Sequence, residues 1–168
     1  LGSFSFKGTT RLPRFGNATP RIAETPSGML NAVGLQNPGI EKVISEELPK
    51  LAQCFHKPVI ANISGFSADE YAYCCEQIDQ QPQVGLIEVN ISCPNVKAGG
   101  LAYGTRPGLA AEVTEVARRH ARVPVMVKLS PNVTDITEIA RAVEGAGADA
   151  VSLINTVLGM RIDLRAKR

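Results

Sequence analysis

The sequence predicts an α/β fold, arranged as part of a (β/α)8 barrel. First, short apolar stretches typical of buried parallel strands alternate with stretches whose apolar residues have helical spacing. Second, polar side chains stand at the carboxyl ends of at least four of these strands, where a barrel collects its functional residues. Third, no Gly-x-Gly-x-x-Gly turn follows a strand, so an open dinucleotide-binding sheet has no support.

The composition is that of an ordinary globular protein. The chain has 168 residues, of which 44% are hydrophobic and 20% charged, and this is enough for a single domain over residues 1–168. The net charge of +2 is too small for a nucleic-acid-binding surface, and no apolar run approaches the roughly 20 residues that span a bilayer. The four cysteines lack the spacing of metal ligands. We therefore expect a cytoplasmic protein with no metal, nucleic-acid or membrane partner.

The first third of the chain predicts one strand, a long excursion and one helix. Ser3–Lys7 alternates apolar and polar residues like a strand. Thr9–Pro38 is rich in Gly, Pro, Asn and Thr, which indicates irregular structure with a hairpin. A loop of this length in a compact domain is usually functional. Ile40–Gln53 carries apolar residues at helical spacing.

Beyond residue 57, strands and helices alternate. The predicted strands are Pro58–Ser64, Gly85–Ile91, Val123–Leu129 and Ala150–Asn155. The predicted helices are residues 67–79, which begin at a capping box of Ser67 and Glu70, then Arg106–Ala121, and last a helix capped by Thr134 that ends near Glu144. With Ser3–Lys7 the strands number five, so about three of the eight strands of a barrel are missing. We expect an incomplete, internal part of such a barrel.

The segment VGLIEVNISCPNVKAGG, residues 84–100, changes from an apolar strand to a polar loop within a few residues. Pro94 ends the strand, and the two glycines at 99 and 100 favour a loop that can move. Four polar or reactive side chains lie within the six residues 90–95, namely Asn90, Ser92, Cys93 and Asn95. Asparagines can hold a flat polar ligand by paired donors and acceptors, and a loop cysteine can take a proton from carbon. A lone cysteine is more often buried and inert, but the polar residues around Cys93 favour a catalytic role for it.

The part NISCPNVKAGG of this segment resembles the active-site segment of the dihydroorotate dehydrogenases, which are flavin enzymes of pyrimidine biosynthesis. Four further segments look like that family's segments, in its order: Lys7–Thr10, Asn31–Asn37, Val127–Leu129 and Ile154–Thr156. Cys93, where a membrane-linked branch has serine, is similar to the soluble class 1 branch. Val96-Lys97 followed by Gly99-Gly100 is most similar to the catalytic subunit of the NAD-linked class 1B form.

The resemblance implies an oxidoreductase that uses FMN to convert dihydroorotate to orotate. Cys93 would be the catalytic base that takes a proton from carbon 5, while hydride leaves carbon 6 for the flavin N5. The loop that holds Cys93 would close and exclude water. The resemblance also implies an iron–sulfur FAD electron-transfer subunit as partner, in a homodimer or a heterotetramer. One barrel strand would precede Leu1 and two would follow Arg168.

The resemblance also assigns ligand-binding residues. The implied FMN-binding residues are Lys7, Gly8, Asn62, Asn90, Lys128 and Ile154. The implied substrate-binding residues are Lys7, Asn31, Ala32, Val33, Gly34, Leu35, Asn90, Asn95, Asn155 and Thr156. The two lysines both end strands, where a cation could face the flavin edge that becomes negative on reduction.

Two other functions remain open at this point. A related flavin barrel acting on another dihydropyrimidine, such as dihydropyrimidine dehydrogenase, shares a cysteine loop. That family typically breaks the Ser-Cys-Pro-Asn pattern after the proline, whereas Asn95 keeps it here. The third possibility is a flavin-free piece with only an assembly role, and the presence of bound flavin would distinguish it from the first two.

Overall fold

The computed structural model describes residues 2–93, 100–162 and 164–165 and has a mixed α/β fold. Within these residues the strands are β1 (Ile22–Thr25), β2 (Gly28–Asn31), β3 (Val59–Ile63), β4 (Val84–Asn90), β5 (Val125–Lys128) and β6 (Ala150–Ser152). The α-helices are α1 (Ile40–Lys42), α2 (Leu48–Ala52), α3 (Ala68–Asp79), α4 (Gly100–Gly104), α5 (Pro107–His120) and α6 (Ile136–Gly145), and a π-helical turn, Val43–Glu47, joins α1 to α2. The predicted α/β class is confirmed.

The central sheet has the order β3-β4-β5-β6, and each neighbouring pair is parallel. In its register Asn62 lies opposite Glu88, Asn90 opposite Lys128, and Lys128 opposite Ser152. Residues that pair across strands, or lie two apart along one strand, share a face of the sheet. All five therefore lie on one face, close to the carboxyl ends of their strands. This arrangement is consistent with part of a (β/α)8 barrel, in which that face would be the interior.

The hydrophobic core lies on the other face of the sheet, beneath α3 and α5. Ile87 and Val89 of β4 are fully buried there, as are Tyr71 and Ile78 of α3 and Val113 of α5. Burying each such side chain contributes about 1.5–3 kcal/mol. The core therefore fixes where β4 ends, and with it the start of the polar segment.

Among the described residues, none of the helices has the length and apolar character of a membrane-spanning segment.

The segment predicted as a first strand, Ser3–Lys7, runs beside β3 without forming a regular strand. Isolated parallel bridges join Ser5 to Ile60 and Thr9 to Ile63. Four steps from residue 5 to residue 9 oppose three steps from residue 60 to residue 63, so a bulge interrupts the ladder. Within the described residues, Ser3–Lys7 is therefore not the continuous strand that the alternation predicts, although its bridges to β3 are parallel. The segment still carries Lys7 to the carboxyl end of β3.

The excursion Thr9–Pro38 contains the predicted hairpin. Its strands β1 and β2 pair antiparallel, with Thr25 opposite Gly28. The excursion closes where Arg14 and Asn37 exchange two backbone hydrogen bonds of 2.9 and 3.0 Å. It therefore leaves the sheet and returns to the same edge.

Two details of the predicted helices need correction. The helix predicted to be capped by Thr134 begins instead after Asp135, whose carboxylate accepts from the Thr137 N–H at 2.8 Å. A carboxylate at this position is favoured by the helix dipole as well. The sequence also predicts a loop at Gly100, where the structure begins α4. Tyr103 of α4 packs edge-on against the buried Tyr71, and this tertiary contact stabilises the short helix.

The capping box is confirmed in part. The Ser67 hydroxyl accepts from the Glu70 N–H at 3.3 Å, as predicted. The Glu70 carboxylate accepts from the Phe66 N–H, one residue earlier than the usual reciprocal partner. The start of α3 is therefore fixed from both sides.

Asp79 joins the end of α3 to the start of β5, and its removal should destabilise the fold. Its carboxylate accepts from the backbone N–H groups of Arg122 and Val123 at 2.7 and 3.0 Å and from Arg122 Nε at 2.7 Å. Burial alone would raise the pKa of Asp79, but these hydrogen bonds outweigh it and lower the pKa. Asp79→Asn should reduce the free energy of unfolding by about 1–3 kcal/mol at neutral pH.

The pH dependence of this loss follows from the sign of the shift. A lowered pKa in the folded state stabilises the protein above the ordinary carboxyl value of 3.8, and this stabilisation disappears as the pH falls through the folded-state pKa. The difference between the native protein and the Asp79→Asn variant in urea unfolding should therefore shrink in acid. The exposed Glu76 on the same helix gives the control, since Glu76→Gln should change little at any pH. An equal loss in both variants would contradict this role for Asp79.

Candidate active site

A cavity of about 330 Å³ lies at the carboxyl ends of the parallel strands. Its walls include twelve of the predicted site residues: Lys7, Gly8, Asn31, Val33, Gly34, Leu35, Asn62, Asn90, Cys93, Lys128, Asn155 and Thr156. Two other depressions of about 420 Å³ adjoin it, one between the hairpin and residues 156–159 and one beside α2. The cavity at the strand ends is the one that collects polar groups from several strands, so it is the candidate site.

Three asparagines from different strand ends form a connected line of amides in this cavity. Asn155 Nδ2 donates to Asn90 Oδ1 at 3.4 Å, and Asn90 Nδ2 donates to Asn62 Oδ1 at 3.4 Å. Ser92 reinforces the middle of the line, because its N–H and its hydroxyl both donate to Asn90 Oδ1 at 3.2 and 3.1 Å. Asn155 Nδ2 also donates to the Ser92 oxygen at 3.0 Å. The orientation of each amide is therefore set before any ligand arrives.

The backbone beneath Asn90 is supported from the core. The Tyr71 hydroxyl, which is fully buried, donates to the Asn90 carbonyl at 2.9 Å. Burial raises the pKa of Tyr71 above its ordinary value, so the phenol stays protonated and keeps donating. The end of β4 is thus tied to α3 directly under the site.

The loop Asn31–Leu35 forms another wall of the cavity and has a strained backbone. Gly34 has φ 77°, and a Cβ there would lie 2.7 Å from Asn17 Nδ2. Leu35 has φ 58°, which is uncommon for a residue with a side chain. The buried side chain of Asn37 holds this conformation, because its Nδ2 donates to the Leu35 carbonyl at 2.8 Å. Strain retained in this way is common where a loop contacts a ligand.

Asn37 also connects this loop to the start of the excursion. Its Nδ2 donates to Thr10 Oγ1 at 2.9 Å, and its Oδ1 accepts from the N–H groups of Thr10 and Gly39 at 3.2 and 2.9 Å. One side chain thus fixes the segment that follows Lys7 and the loop that faces the cavity. The two walls cannot move independently of each other.

Cys93 lies in the cavity wall directly after the Asn90–Ser92 turn and is only 7% exposed. It packs with Leu35 and the half-buried Phe66 in a small apolar cluster beside the main core. The thiol therefore meets the polar cavity on one side and apolar neighbours on the other. Such a site excludes water and holds a reactive sulfur in a defined place.

The family model for dihydroorotate dehydrogenase matches residues 1–168, which is the whole chain. The chain belongs to the dihydroorotate dehydrogenase family. It is 58% identical over 168 residues to the protein named dihydroorotate dehydrogenase B (NAD(+)), catalytic subunit, from Geobacillus kaustophilus strain HTA426. The proteins of the same name from Geobacillus sp. strain WCH70 and Bacillus cereus strain AH187 are 57% and 56% identical. All of this chain aligns with 53%, 53% and 54% of these relatives respectively, so it spans about half their length.

Members of the dihydroorotate dehydrogenase family are flavin-dependent oxidoreductases, and the cavity has groups that fit a flavin. Lys7 and Lys128 place two cations in the cavity wall, and neither forms a salt bridge within the described ranges. A cation beside a flavin stabilises the negative charge that grows on reduction. Gly8 allows close approach of the backbone, since a Cβ there would lie 2.8 Å from Asn62 Oδ1.

Two predicted residues, Ala32 and Ile154, do not line the cavity, and a third, Asn95, lies outside the described residues. Ala32 lies in the neighbouring depression beside the hairpin, and its N–H donates to the Arg21 carbonyl at 2.7 Å. Ile154 is 46% exposed and does not contribute to the wall. Asn95 lies in the segment 94–99, outside the described residues, together with Val96, Lys97 and Gly99. The roles assigned to these residues stay predictions.

Three wall residues were not predicted as site residues, namely Ser5, Phe6 and Glu88, and Glu88 is the ionisable one among them. It lies two residues before Asn90 on β4 and is only 8% exposed. Its carboxylate accepts a short hydrogen bond from Asn62 Nδ2 and one of 2.7 Å from the Ser152 hydroxyl. The available signal was a single acid within the apolar run Leu86-Ile87-Glu88-Val89. An acid in a buried strand indicates either a polar partner or a cavity.

Proposed function

We propose that this chain carries the base and most of the ligand-binding residues of an FMN-dependent enzyme that oxidises dihydroorotate to orotate in pyrimidine biosynthesis. The observation that carries the proposal is the convergence of Cys93, two lysines and three strand-end asparagines on one cavity at the carboxyl edge of the sheet. The membership of the family and the names of the relatives support it. We also propose that residues 1–168 are part of a single flavin-binding barrel domain, for which the parallel sheet is the support.

The chemistry divides into the loss of a proton and the loss of a hydride from two neighbouring carbons. The thiolate of Cys93 takes the proton from carbon 5 of dihydroorotate, and the double bond of orotate forms between carbons 5 and 6. FMN, when bound, accepts the hydride that leaves carbon 6. The Cys93 proton then passes to solvent. The partly apolar surroundings of Cys93 exclude competing water while the substrate is held.

The amide groups supply recognition. Dihydroorotate carries a carboxylate and a ring with alternating N–H and C=O groups, and neutral amides match such a pattern without adding charge. These groups would be bound by Asn31, Asn90 and Asn155 with Thr156. The Val33–Leu35 backbone would contact another side of the bound dihydroorotate. Since the Asn90 and Asn155 amides are already oriented, little ordering remains to be done on binding.

The two lysines supply the positive charge. Lys128 lies opposite Asn90 in the sheet register, and Lys7 lies beside the carboxyl end of β3. We propose that Lys128 faces the flavin and that Lys7 contacts both flavin and substrate. A fixed cation beside a bound flavin would stabilise the negative charge that develops on reduction, and more strongly where the bound ligands displace water.

Two further aspects of the assignment rest on the relatives and on the resemblance. The name "catalytic subunit" supports a partner subunit, and we propose that this partner is an iron–sulfur FAD protein that passes electrons to NAD+. The assembly would be a homodimer or, with the partner, a heterotetramer. We propose a cytoplasmic location, supported by the similarity to the class 1 enzymes.

The proposed partner leads to an expected dependence of NAD+ reduction on a second subunit. The full-length catalytic subunit alone should oxidise dihydroorotate with a small artificial acceptor such as ferricyanide but should form NADH very slowly. Addition of the partner subunit should restore NADH formation. Efficient NAD+-linked turnover by the catalytic polypeptide alone would contradict this arrangement.

Ligand titration tests the proposed function itself. The purified full-length protein should be yellow and release FMN on denaturation. Orotate should perturb the absorbance of the bound flavin at concentrations where uracil does not, because only orotate has the carboxylate. A protein that binds no flavin, or one that responds equally to uracil and orotate, would overturn the proposal.

A further inference from the structure

Glu88 lies in the wall of the cavity, at one end of a line of hydrogen-bonded amides. The carboxylate is buried between its neighbours, and both of its oxygens accept hydrogen bonds. Oε2 accepts from Asn62 Nδ2, and Oε1 accepts from the Ser152 hydroxyl at 2.7 Å. Burial of a carboxylate is tolerated only where its oxygens are satisfied in this way. The site therefore retains a buried acid that the proposed chemistry does not use.

The hydrogen bonds of the amide line all run in one direction. Asn155 Nδ2 donates to Asn90 Oδ1, Asn90 Nδ2 donates to Asn62 Oδ1, and Asn62 Nδ2 donates to Glu88. An amide can be turned end for end, because its two ends have similar shapes but opposite hydrogen-bonding character. A carboxylate can only accept. The fixed acceptor at one end therefore selects the orientation of the Asn62 amide, while the backbone N–H groups of Ser92 and Thr156, which can only donate, select the same direction at Asn90 and Asn155.

We propose that Glu88 is a positioning residue that sets the orientation of the Asn62 amide and so aligns it with Asn90 and Asn155, which Ser92 and Thr156 already hold. It thereby determines which polar atom of Asn62 accepts from Asn90 and is available to a bound ligand. The inference rests on the proposed function in one respect, which is that FMN and orotate are the ligands these amides recognise. The orientation of the Asn62 amide itself rests on its contacts with Glu88 and Asn90, whatever the ligand.

The negative charge of Glu88 offers a different explanation, since Lys7 and Lys128 line the same cavity. If the charge of Glu88 is what matters, position 88 needs a carboxylate. If the orientation of Asn62 is what matters, position 88 needs only an atom that accepts from Asn62 and a second atom that can pair with Ser152. In Glu88→Gln, the new carbonyl can accept from Asn62 Nδ2 while the new NH2 donates to the Ser152 oxygen, because a hydroxyl can reverse its role. The two explanations therefore predict different effects of this variant.

The test is an exchange of donor and acceptor between positions 62 and 88 in the full-length protein. Asn62→Asp puts two carboxylates in contact with no donor between them. The double variant Asn62→Asp with Glu88→Gln puts a donor back: the new amide at 88 donates to the new carboxylate at 62. The second oxygen at 62 can still accept from Asn90 Nδ2, and the carbonyl at 88 can accept from Ser152. The hydrogen bond between positions 62 and 88 is therefore restored with donor and acceptor exchanged, and position 62 still accepts from Asn90 as in the native protein.

The measured quantities are the dissociation constants of FMN and of orotate, from flavin fluorescence and absorbance, and the melting temperature after removal of the flavin. Asn62→Asp should weaken both ligands about ten- to a hundredfold, as expected for the loss of a charge-assisted hydrogen bond. Glu88→Gln should weaken them only a few-fold. The double variant should return to within a few-fold of the native protein and should also recover the melting temperature.

A double variant no better than Asn62→Asp would overturn the inference, as would a Glu88→Gln variant as weak as Asn62→Asp, which would indicate a role for charge. If Asn62→Asp does not fold, a double variant that folds and binds with near-native affinity supports the inference, and one that does not fold overturns it. Failure of the native protein to bind FMN or orotate would overturn the proposed function instead. In that case the melting temperatures of the flavin-free variants still test the pairing of Glu88 with Asn62.

Discussion

Replacement of Cys93 by alanine should slow the reduction of bound flavin by dihydroorotate about 10²–10⁴-fold, the range typical for loss of a positioned base. Orotate affinity should change little, because Asn90 and Asn155 stay held by Ser92 and by each other. Anaerobic stopped-flow absorbance measures the reduction, and titration with orotate measures the affinity. A large loss of rate with retained affinity separates the base from a residue that only packs.

The serine variant sharpens this expectation. Cys93→Ser keeps the geometry, but a hydroxyl has a far higher pKa than a thiol and is a much weaker base near neutral pH. Its rate should recover only as the pH rises. Cys54→Ala provides the control, since Cys54 is exposed and lies outside the cavity. Reduction of Cys93→Ala at the native rate between about pH 6 and 9 would place the base elsewhere and leave Cys93 with the packing role common for buried cysteines.

Replacement of Lys128 by alanine should have the next largest effect, on the flavin and not on proton removal. Loss of this cation should weaken FMN retention or slow flavin reduction, by about tenfold or more, because negative charge on the reduced flavin loses its partner. Lys128→Arg should recover part of the loss, since it keeps the charge but changes the shape. FMN content after gel filtration and the reduction rate measure the two effects.

A surface lysine controls for the general effect of removing one positive charge. Lys42 is exposed and pairs with Glu46 on the surface, away from the cavity. Lys42→Ala should leave FMN content and reduction rate unchanged. Unchanged values in Lys128→Ala as well would exclude Lys128 from the flavin site.

The convergence of the site could be predicted from the sequence because the carboxyl ends of parallel strands lie at the same edge of a sheet. Asn62, Asn90 and Lys128 each follow an apolar strand-like stretch, and the structure brings all three to one cavity. The start of α3 could be predicted because the Ser67–Glu70 spacing is a local signal. Such signals need no knowledge of what the segment packs against.

Features that depend on tertiary partners could not be predicted in this way. The Ser3–Lys7 segment alternates like a strand, but the bulge opposite Ile60–Ile63 exists only in the folded register. The helix α4 depends on the contact between Tyr103 and Tyr71. Thr134 and Asp135 are both residue types that cap helices, so the sequence does not decide which of the two precedes α6.

The amide line shows the same limit within the site. The sequence indicated asparagines at the strand ends, but not their orientation. The orientation of Asn62 depends on Glu88, whose partners Asn62 and Ser152 lie on other strands, and that of Asn90 depends on the Ser92 N–H. One acid in an apolar strand carries little information until both partners are known.

Anaerobic reduction of the bound flavin by dihydroorotate, with dihydrouracil as the matched comparison, tests the proposed function most directly. When the full-length protein is mixed with dihydroorotate, the absorbance of its oxidised flavin should disappear during the measurement. One orotate should form for each flavin reduced. Dihydrouracil lacks the carboxylate and should leave the flavin oxidised over the same time. Flavin that stays oxidised with dihydroorotate, or that is reduced equally well by dihydrouracil, would contradict the assignment of this cavity to dihydroorotate oxidation.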